Sequence, residues 1–166
     1  GVGGGVSTQA NTVAERFAQK LGGYYRFLHL PDGLSGAAAD ELARLPQVRE
    51  PLELVRHADV FLYGVGRAME LAQRRGLSAS ERDRLAQEGA VAEALGFYIN
   101  AQGRVVGGGS SLAIRPEDIG RKNRAAAVAA GRAKAEAILA VCAHHPHKLL
   151  VTDEGAALRM MELLRA

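Results

Sequence analysis

Three times along this chain an apolar run passes through glycine or a small polar turn straight into a helical pattern. No other feature constrains the fold as much. The first unit is Asp59-Val60-Phe61-Leu62-Tyr63-Gly64-Val65-Gly66-Arg67-Ala68-Met69-Glu70-Leu71-Ala72. The second runs from residues 125–130 into Gly131-Arg132-Ala133-Lys134-Ala135-Glu136, the third from Leu149-Leu150-Val151-Thr152 into Asp153-Glu154-Gly155-Ala156. Strands that are apolar without alternation are buried on both faces, and strand–helix alternation builds parallel βαβ units. The pattern predicts a Rossmann-like α/β domain, a mostly parallel sheet flanked by helices. Ligands of such sheets bind beyond the carboxyl ends of the strands, where these glycine turns fall.

The remaining elements follow from periodicity. Ala10, Val13, Ala14, Phe17, Ala18 and Leu21 share one helical face over residues 8–21, and Gly22-Gly23 stop that helix. Residues 24–30 read as a strand and Pro31-Asp32-Gly33 as a turn. Helices over 37–45 and 48–57 flank Pro46. A strand over 60–63 leads into a helix over 68–75. Ser78 with Glu81 three residues on has the capping-box spacing for a helix over 78–87. Residues 95–100 and 104–106 flank Ala101-Gln102-Gly103 as a hairpin, with Gly103 at positive φ. Gly107 to Ser111 reads as a mobile loop, and Pro116 begins a short helical turn.

Composition narrows the function. With 166 residues the chain suits one domain with a substantial core, and 20 glycines are its most informative count. No apolar run is long enough to span a bilayer, and the lone Cys142 excludes an intramolecular disulfide, so a cytoplasmic location is expected. Net charge is only +3. Arg121-Lys122-Asn123-Arg124 reads as a solvated loop, and no basic stripe suits nucleic acid. His144, His145 and His147 lack the companion ligands of a metal site. No cofactor motif is complete. The chain starts inside a glycine turn, Gly1-Val2-Gly3-Gly4-Gly5, of the kind that follows a strand, so part of the domain is expected upstream.

Several residues stand out physically. Arg132 and Lys134 lie in the first turn of a helix, where each cation costs roughly 0.3–1 kcal/mol and an anion is welcome. Gly1 and Gly3, with Gln9 opening the next helix, form a second candidate anion cradle or a plain tight turn. Asp153 and Glu154 already complement their helix dipole, with Thr152 or Asp153 as N-cap, so that turn reads as structural, or at most as a rim contacting hydroxyls. Arg74 and Arg75 complement a helix C-terminus. Glu93 sits in the otherwise apolar Gly89-Ala90-Val91-Ala92-Glu93-Ala94-Leu95. A carboxylate there needs a basic residue or sugar hydroxyls.

The stretches Gln9-Ala10-Asn11-Thr12-Val13-Ala14, Tyr25-Arg26-Phe27-Leu28-His29-Leu30-Pro31, Met69 with Ala72-Gln73-Arg74-Arg75, Lys134-Ala135-Glu136-Ala137-Ile138 and Val151-Thr152-Asp153-Glu154-Gly155-Ala156-Ala157 together closely resemble the effector-binding domain of SorC-type bacterial transcriptional regulators. The likeness covers essentially the whole chain. It implies a fold similar to sugar-phosphate isomerases and glucosamine-6-phosphate deaminase, used for sensing and not for turnover. It implies phosphorylated sugars or trioses as effectors, above all fructose 1,6-bisphosphate, which change oligomerisation and operator affinity. The family's ligand contacts fall on Gly1, Gly3, Gln9, Arg74, Glu93 and Lys134. The upstream phosphate loop and the DNA-binding domain of such regulators are not in this sequence. Arg132 departs from the family pattern, adding a phosphate contact or obstructing one. The competing expectation is an isomerase or deaminase on the same fold, with Glu93 as base.

Overall fold

The computed structural model describes residues 10–28, 36–109, 112, 114–119, 124–144 and 149–165. The turn carrying Gly1 and Gly3, Gln9, Pro31-Asp32-Gly33, Ser110-Ser111, Arg121-Lys122-Asn123, and His145 with His147 lie outside the described residues.

Helix α1 (Ala10–Leu21) ends where Gly22-Gly23 stop it. The Gly23 N–H donates to the Ala18 carbonyl at 2.8 Å and the Gly22 N–H to the Gln19 carbonyl at 3.2 Å, a Schellman closure. Residues 23–28 follow without a ladder, so the strand predicted over 24–30 does not form within the described residues. An extended segment becomes a strand only by exchanging backbone hydrogen bonds with a neighbour, and no described strand pairs with this one. Helices α2 (Gly36–Arg44) and α3 (Pro46–His57) meet at Leu45, with Pro46 at the start of α3, where its missing N–H costs nothing.

Strand β1 (Val60–Arg67) leads directly into α4 (Ala68–Arg74). Helix α5 (Ala79–Gln87) has the predicted capping box: Ser78 Oγ accepts from the Glu81 N–H at 3.3 Å, and Glu81 Oε2 accepts from the Ser78 N–H at 2.8 Å. Strands β2 (Ala90–Ala94), β3 (Phe97–Asn100) and β4 (Val105–Gly108) form a meander. Gly107 and Gly108 are strand residues paired with Tyr98 and Phe97, not part of a loop. After α6 (Pro116–Ile119) come β5 (Arg124–Val128), a 3₁₀ turn (Arg132–Lys134), α7 (Ala135–His144), β6 (Leu149–Val151) and α8 (Glu154–Arg165).

The described strands form one sheet in the order β4-β3-β2-β1-β5-β6. It is mixed, which corrects the expectation of a mostly parallel sheet. Strands β1, β5 and β6 are parallel neighbours, while β2, β3 and β4 add on antiparallel beside β1. Within the meander of β2, β3 and β4 the reason is connection length. Leu95-Gly96 joins β2 to β3 and residues 101–104 join β3 to β4, whereas a parallel crossover needs a dozen residues or more. The larger core lies under α7, where Tyr63, Val65, Ala125, Ala127, Ile138, Val141 and Ala156 pack together. A smaller one joins Ala68 and Ala72 to Leu85 and Tyr98.

The expected glycine turn at Gly64–Gly66 is also corrected: β1 runs through both glycines to Arg67. A side chain at 66 would meet a close neighbour. A Cβ there would fall on the Leu71 side chain, with Leu71 Cγ at 3.1 Å. Helix α4 therefore lies close over the strand it leaves. Gly66→Ala is expected to cost about 1–2 kcal/mol by overpacking, read as a lower denaturant midpoint with an unchanged m-value.

Candidate functional site

Glu93 is the buried carboxylate that the sequence singled out. It is 6 % exposed, in register with Gly66 on one side and Tyr98 on the other. A basic residue answers it: Arg75 Nη2 donates to Glu93 Oε1 at 3.0 Å. The same oxygen accepts the Gly96 N–H at 2.6 Å. Leu95 and Gly96 have φ of 59° and 86°, the positive pair that a type I′ hairpin requires. Leu95 holds this geometry at a cost of roughly 1–2 kcal/mol, offset by its packing against the larger core and by the Gly96–Glu93 bond. Thus the carboxylate, the hairpin turn and the end of α4 form one unit.

The second unit lies where the parallel strands end. Gly64 pairs with Val128 and Val128 with Val151, so β1, β5 and β6 are level at this rim. Asp153 joins the two turns beyond it. Its Oδ1 accepts the Ala156 N–H at 2.8 Å, capping α8, and its Oδ2 accepts the Gly131 N–H at 2.8 Å. Gly131 has φ of 101°, a conformation that favours glycine, and its carbonyl accepts the Lys134 N–H at 2.9 Å. The 3₁₀ turn that follows packs against α8 and the end of β1. Both carboxylate oxygens of Asp153 are thus engaged in holding the two turns together.

Arg132 does not need an external anion. Its Nη2 donates to Glu162 Oε1 and Oε2 at 2.9 and 2.7 Å, and Arg159 Nη1 donates to Glu162 Oε2 at 2.7 Å. These bonds, from Arg159 first and then Arg132, hold the Glu162 carboxyl below the usual carboxylate range. A depressed carboxylate keeps its stabilising effect above its unfolded value and loses it as pH falls through the folded one. In Arg132→Ala, the Glu162 titration midpoint followed by carbon NMR is expected to move up towards the ordinary range.

The six residues assigned through the resemblance therefore fall as follows. Gly1, Gly3 and Gln9 lie outside the described residues. Glu93 is buried on β2 beside Gly66. Arg74 is the exposed last residue of α4, directly before the arginine that holds Glu93. Lys134 closes the turn beyond β5 and introduces α7, which packs on β1 and β2. Among the described residues, neither the Arg74 guanidinium nor the Lys134 ammonium has a hydrogen-bonded or ionic side-chain partner. Arg75 and Arg132, by contrast, are committed. Sequence reasoning did not assign Arg75 to Glu93. Its only signal was the Arg-Arg pair at a helix end, which dipole complementation already explained. Nothing local linked Arg132 to Glu162, 30 residues away.

Comparison with known proteins adds an independent line. A family model described as "Putative sugar-binding domain" matches residues 1–162. A central glycolytic genes regulator from Bacillus subtilis is 38% identical over 161 residues, covering 97% of this chain and 47% of the relative. Its counterpart from Priestia megaterium is 37% identical over 157 residues, 95% of this chain and 46% of the relative. The chain spans about half the length of these curated relatives. Among solved structures, a "putative SorC family transcriptional regulator" from Enterococcus faecalis superposes with a TM-score of 0.84 at 35% identity, over 96% of this chain and 65% of that one. The full-length sorbitol operon regulator SorC from Klebsiella pneumoniae shares the fold, with a TM-score of 0.79 at 18% identity over 99% of this chain and 56% of that one. With its family model spanning nearly every residue, the chain belongs to the sugar-binding domain family of SorC-type transcriptional regulators.

Proposed function

We propose that this chain is the effector-binding domain of a bacterial regulator, a repressor of glycolytic or other carbohydrate genes, and that its effector is a phosphorylated sugar such as fructose 1,6-bisphosphate. The observation that carries the reading is Lys134, a partly buried lysine without an anionic partner among the described residues, at the turn beyond the parallel strands. An anion of a small metabolite complements it. In this reading Lys134 and Arg74 hold phosphate, Gly1 and Gly3 offer backbone donors, and Glu93 and Gln9 select sugar hydroxyls. The fold is that of sugar-phosphate isomerases and glucosamine-6-phosphate deaminase, used without turnover. Effector binding shifts a homo-oligomer, dimer or tetramer, between states of different operator affinity. It does so only through differential affinity for the two states. Operator DNA is held by an N-terminal domain outside this chain, in the cytoplasm.

Sensing is favoured over catalysis because Glu93, the obvious base, has Oε1 committed to Arg75 and Gly96, and because the curated relatives are named regulators. The test is a thermal-shift and operator-binding panel on the full-length protein. Fructose 1,6-bisphosphate at 100 times its Kd is expected to add about 2.7 kcal/mol to stability and to change operator affinity, with unphosphorylated fructose doing neither. Turnover of glucosamine 6-phosphate or ribose 5-phosphate would overturn the reading.

A further inference from the structure

The end of α4 is fixed on both sides of Arg75. The Gly76 N–H donates to the Gln73 carbonyl at 3.0 Å and the Leu77 N–H to the Ala72 carbonyl at 3.1 Å, with Gly76 at φ 71°. This is a full Schellman closure, and Leu77 packs into the smaller core that holds Ala72. Arg75 therefore projects from a set backbone, its own N–H bonded to the Leu71 carbonyl at 2.9 Å. Its Nη2 donates to Glu93 Oε1 at 3.0 Å, and its Nη1 lies 3.6 Å from where a Cβ on residue 96 would stand. The second donor to Oε1, the Gly96 N–H, belongs to a turn that is itself clamped, because the Gly109 N–H donates to the Gly96 carbonyl at 2.7 Å. The end of α4, the Leu95-Gly96 turn and the residue after β4 thus converge on one carboxylate.

Packing alone does not require a charge there. A buried ion pair is often no more stabilising than apolar residues of similar volume, and the neighbours of Glu93 on β2 are Ala92 and Ala94. Discrimination among hydroxyl groups does require an acceptor held in one orientation, since an acceptor that must first be ordered gives up affinity. The guanidinium suits the holding role, because its donors lie in one plane at fixed angles. We propose that Arg75 is a positioning residue for sugar selection: it aims the Glu93 carboxylate at the hydroxyls of the effector, while its neighbour Arg74 meets phosphate. The inference rests on the reading of Glu93 as the group that selects those hydroxyls.

Isothermal titration of the full-length protein compares fructose 1,6-bisphosphate with hexane-1,6-diol bisphosphate, which has both phosphates and none of the hydroxyls. The ratio of the two affinities reads hydroxyl recognition, and a general loss of stability does not move it. Arg75→Met is expected to lower that ratio about tenfold. Glu93→Gln should lower it as well, and the double variant should fall no further than the lower of the two. Arg74→Met should weaken both ligands alike. Arg75→Lys, which keeps the charge but not the planar fork, should fall between Arg75→Met and the wild type. An unchanged ratio in Arg75→Met, with Glu93→Gln lowering it, would overturn the positioning role and leave the reading of Glu93 intact. An unchanged ratio in Glu93→Gln would overturn both. Should Arg75→Met not fold, Arg75→Lys decides, and a wild-type ratio in that variant overturns the proposal.

Discussion

Glu93→Ala will lower the free energy of unfolding by about 3–5 kcal/mol in the absence of any ligand. That is the upper scale for removing one partner of an ion pair, reached when the remaining charge is buried; here the Glu93 carboxylate is buried and the Arg75 guanidinium is 26 % exposed. Glu93 is nearly inaccessible and its Oε1 satisfies both the Arg75 guanidinium and the Gly96 N–H. Alanine leaves a cation and a backbone donor without their acceptor, and it loosens a turn in which Leu95 already sits at φ 59°. The loss will not be additive with that of Arg75→Ala. Once the carboxylate is gone, removing the guanidinium relieves an uncompensated charge, so the double variant should be more stable than the two single losses predict. Chemical denaturation of the four proteins closes the cycle. Strict additivity would show that the pair is not coupled in solution. The consequence for function is direct: a loss of effector response in Glu93→Ala carries meaning only where the variant is still folded, so Glu93→Gln, which keeps an acceptor for Gly96, is the informative substitution for binding.

Much of this architecture was legible in the chain, for reasons that differ from element to element. Ser78 and Glu81 specify a helix start through chemistry confined to four residues, and the structure has that box. The three strand-to-helix units were legible because continuous apolar runs demand two-sided burial. Their shared rim followed from the rule for parallel sheets. What failed was whatever depends on a neighbour distant in sequence. Gly64 and Gly66 look the same in a turn as in a strand overlaid by a helix, and only the approach of Leu71 separates the two. Residues 24–28 have strand composition yet lack a pairing partner among the described strands. The three apolar runs expected to be parallel are parallel neighbours, but residues 90–94 do not read as a strand; as β2 they bring in the antiparallel half, and the two-residue Leu95-Gly96 connection admits only a hairpin. In the site, Glu93 was legible as a costly carboxylate, while its partner was not. Arg75 and Arg132 each had a local explanation that hid a long-range ion pair.

That contrast between committed and uncommitted cations yields the second large effect. Lys134→Ala is expected to weaken binding of fructose 1,6-bisphosphate to the full-length protein by about 10–100-fold. This corresponds to the roughly 1.5–3 kcal/mol of a hydrogen bond to a charged group. Stability without ligand should be nearly unchanged, since the residue is only partly buried and has no ionic partner among the described residues. Lys134→Arg should recover part of the affinity: it restores the charge but not the compact ammonium geometry. Arg132→Ala should cost far less, because Glu162 already occupies that guanidinium. Isothermal titration at two salt concentrations separates the cases, since a phosphate contact made by Lys134 weakens as ionic strength rises. Equal affinity in wild type and Lys134→Ala would remove this lysine from the site. A fall of equal size for Arg132→Ala would mean that the 3₁₀ turn as a whole, held by Glu162 and Asp153, is what the effector reads.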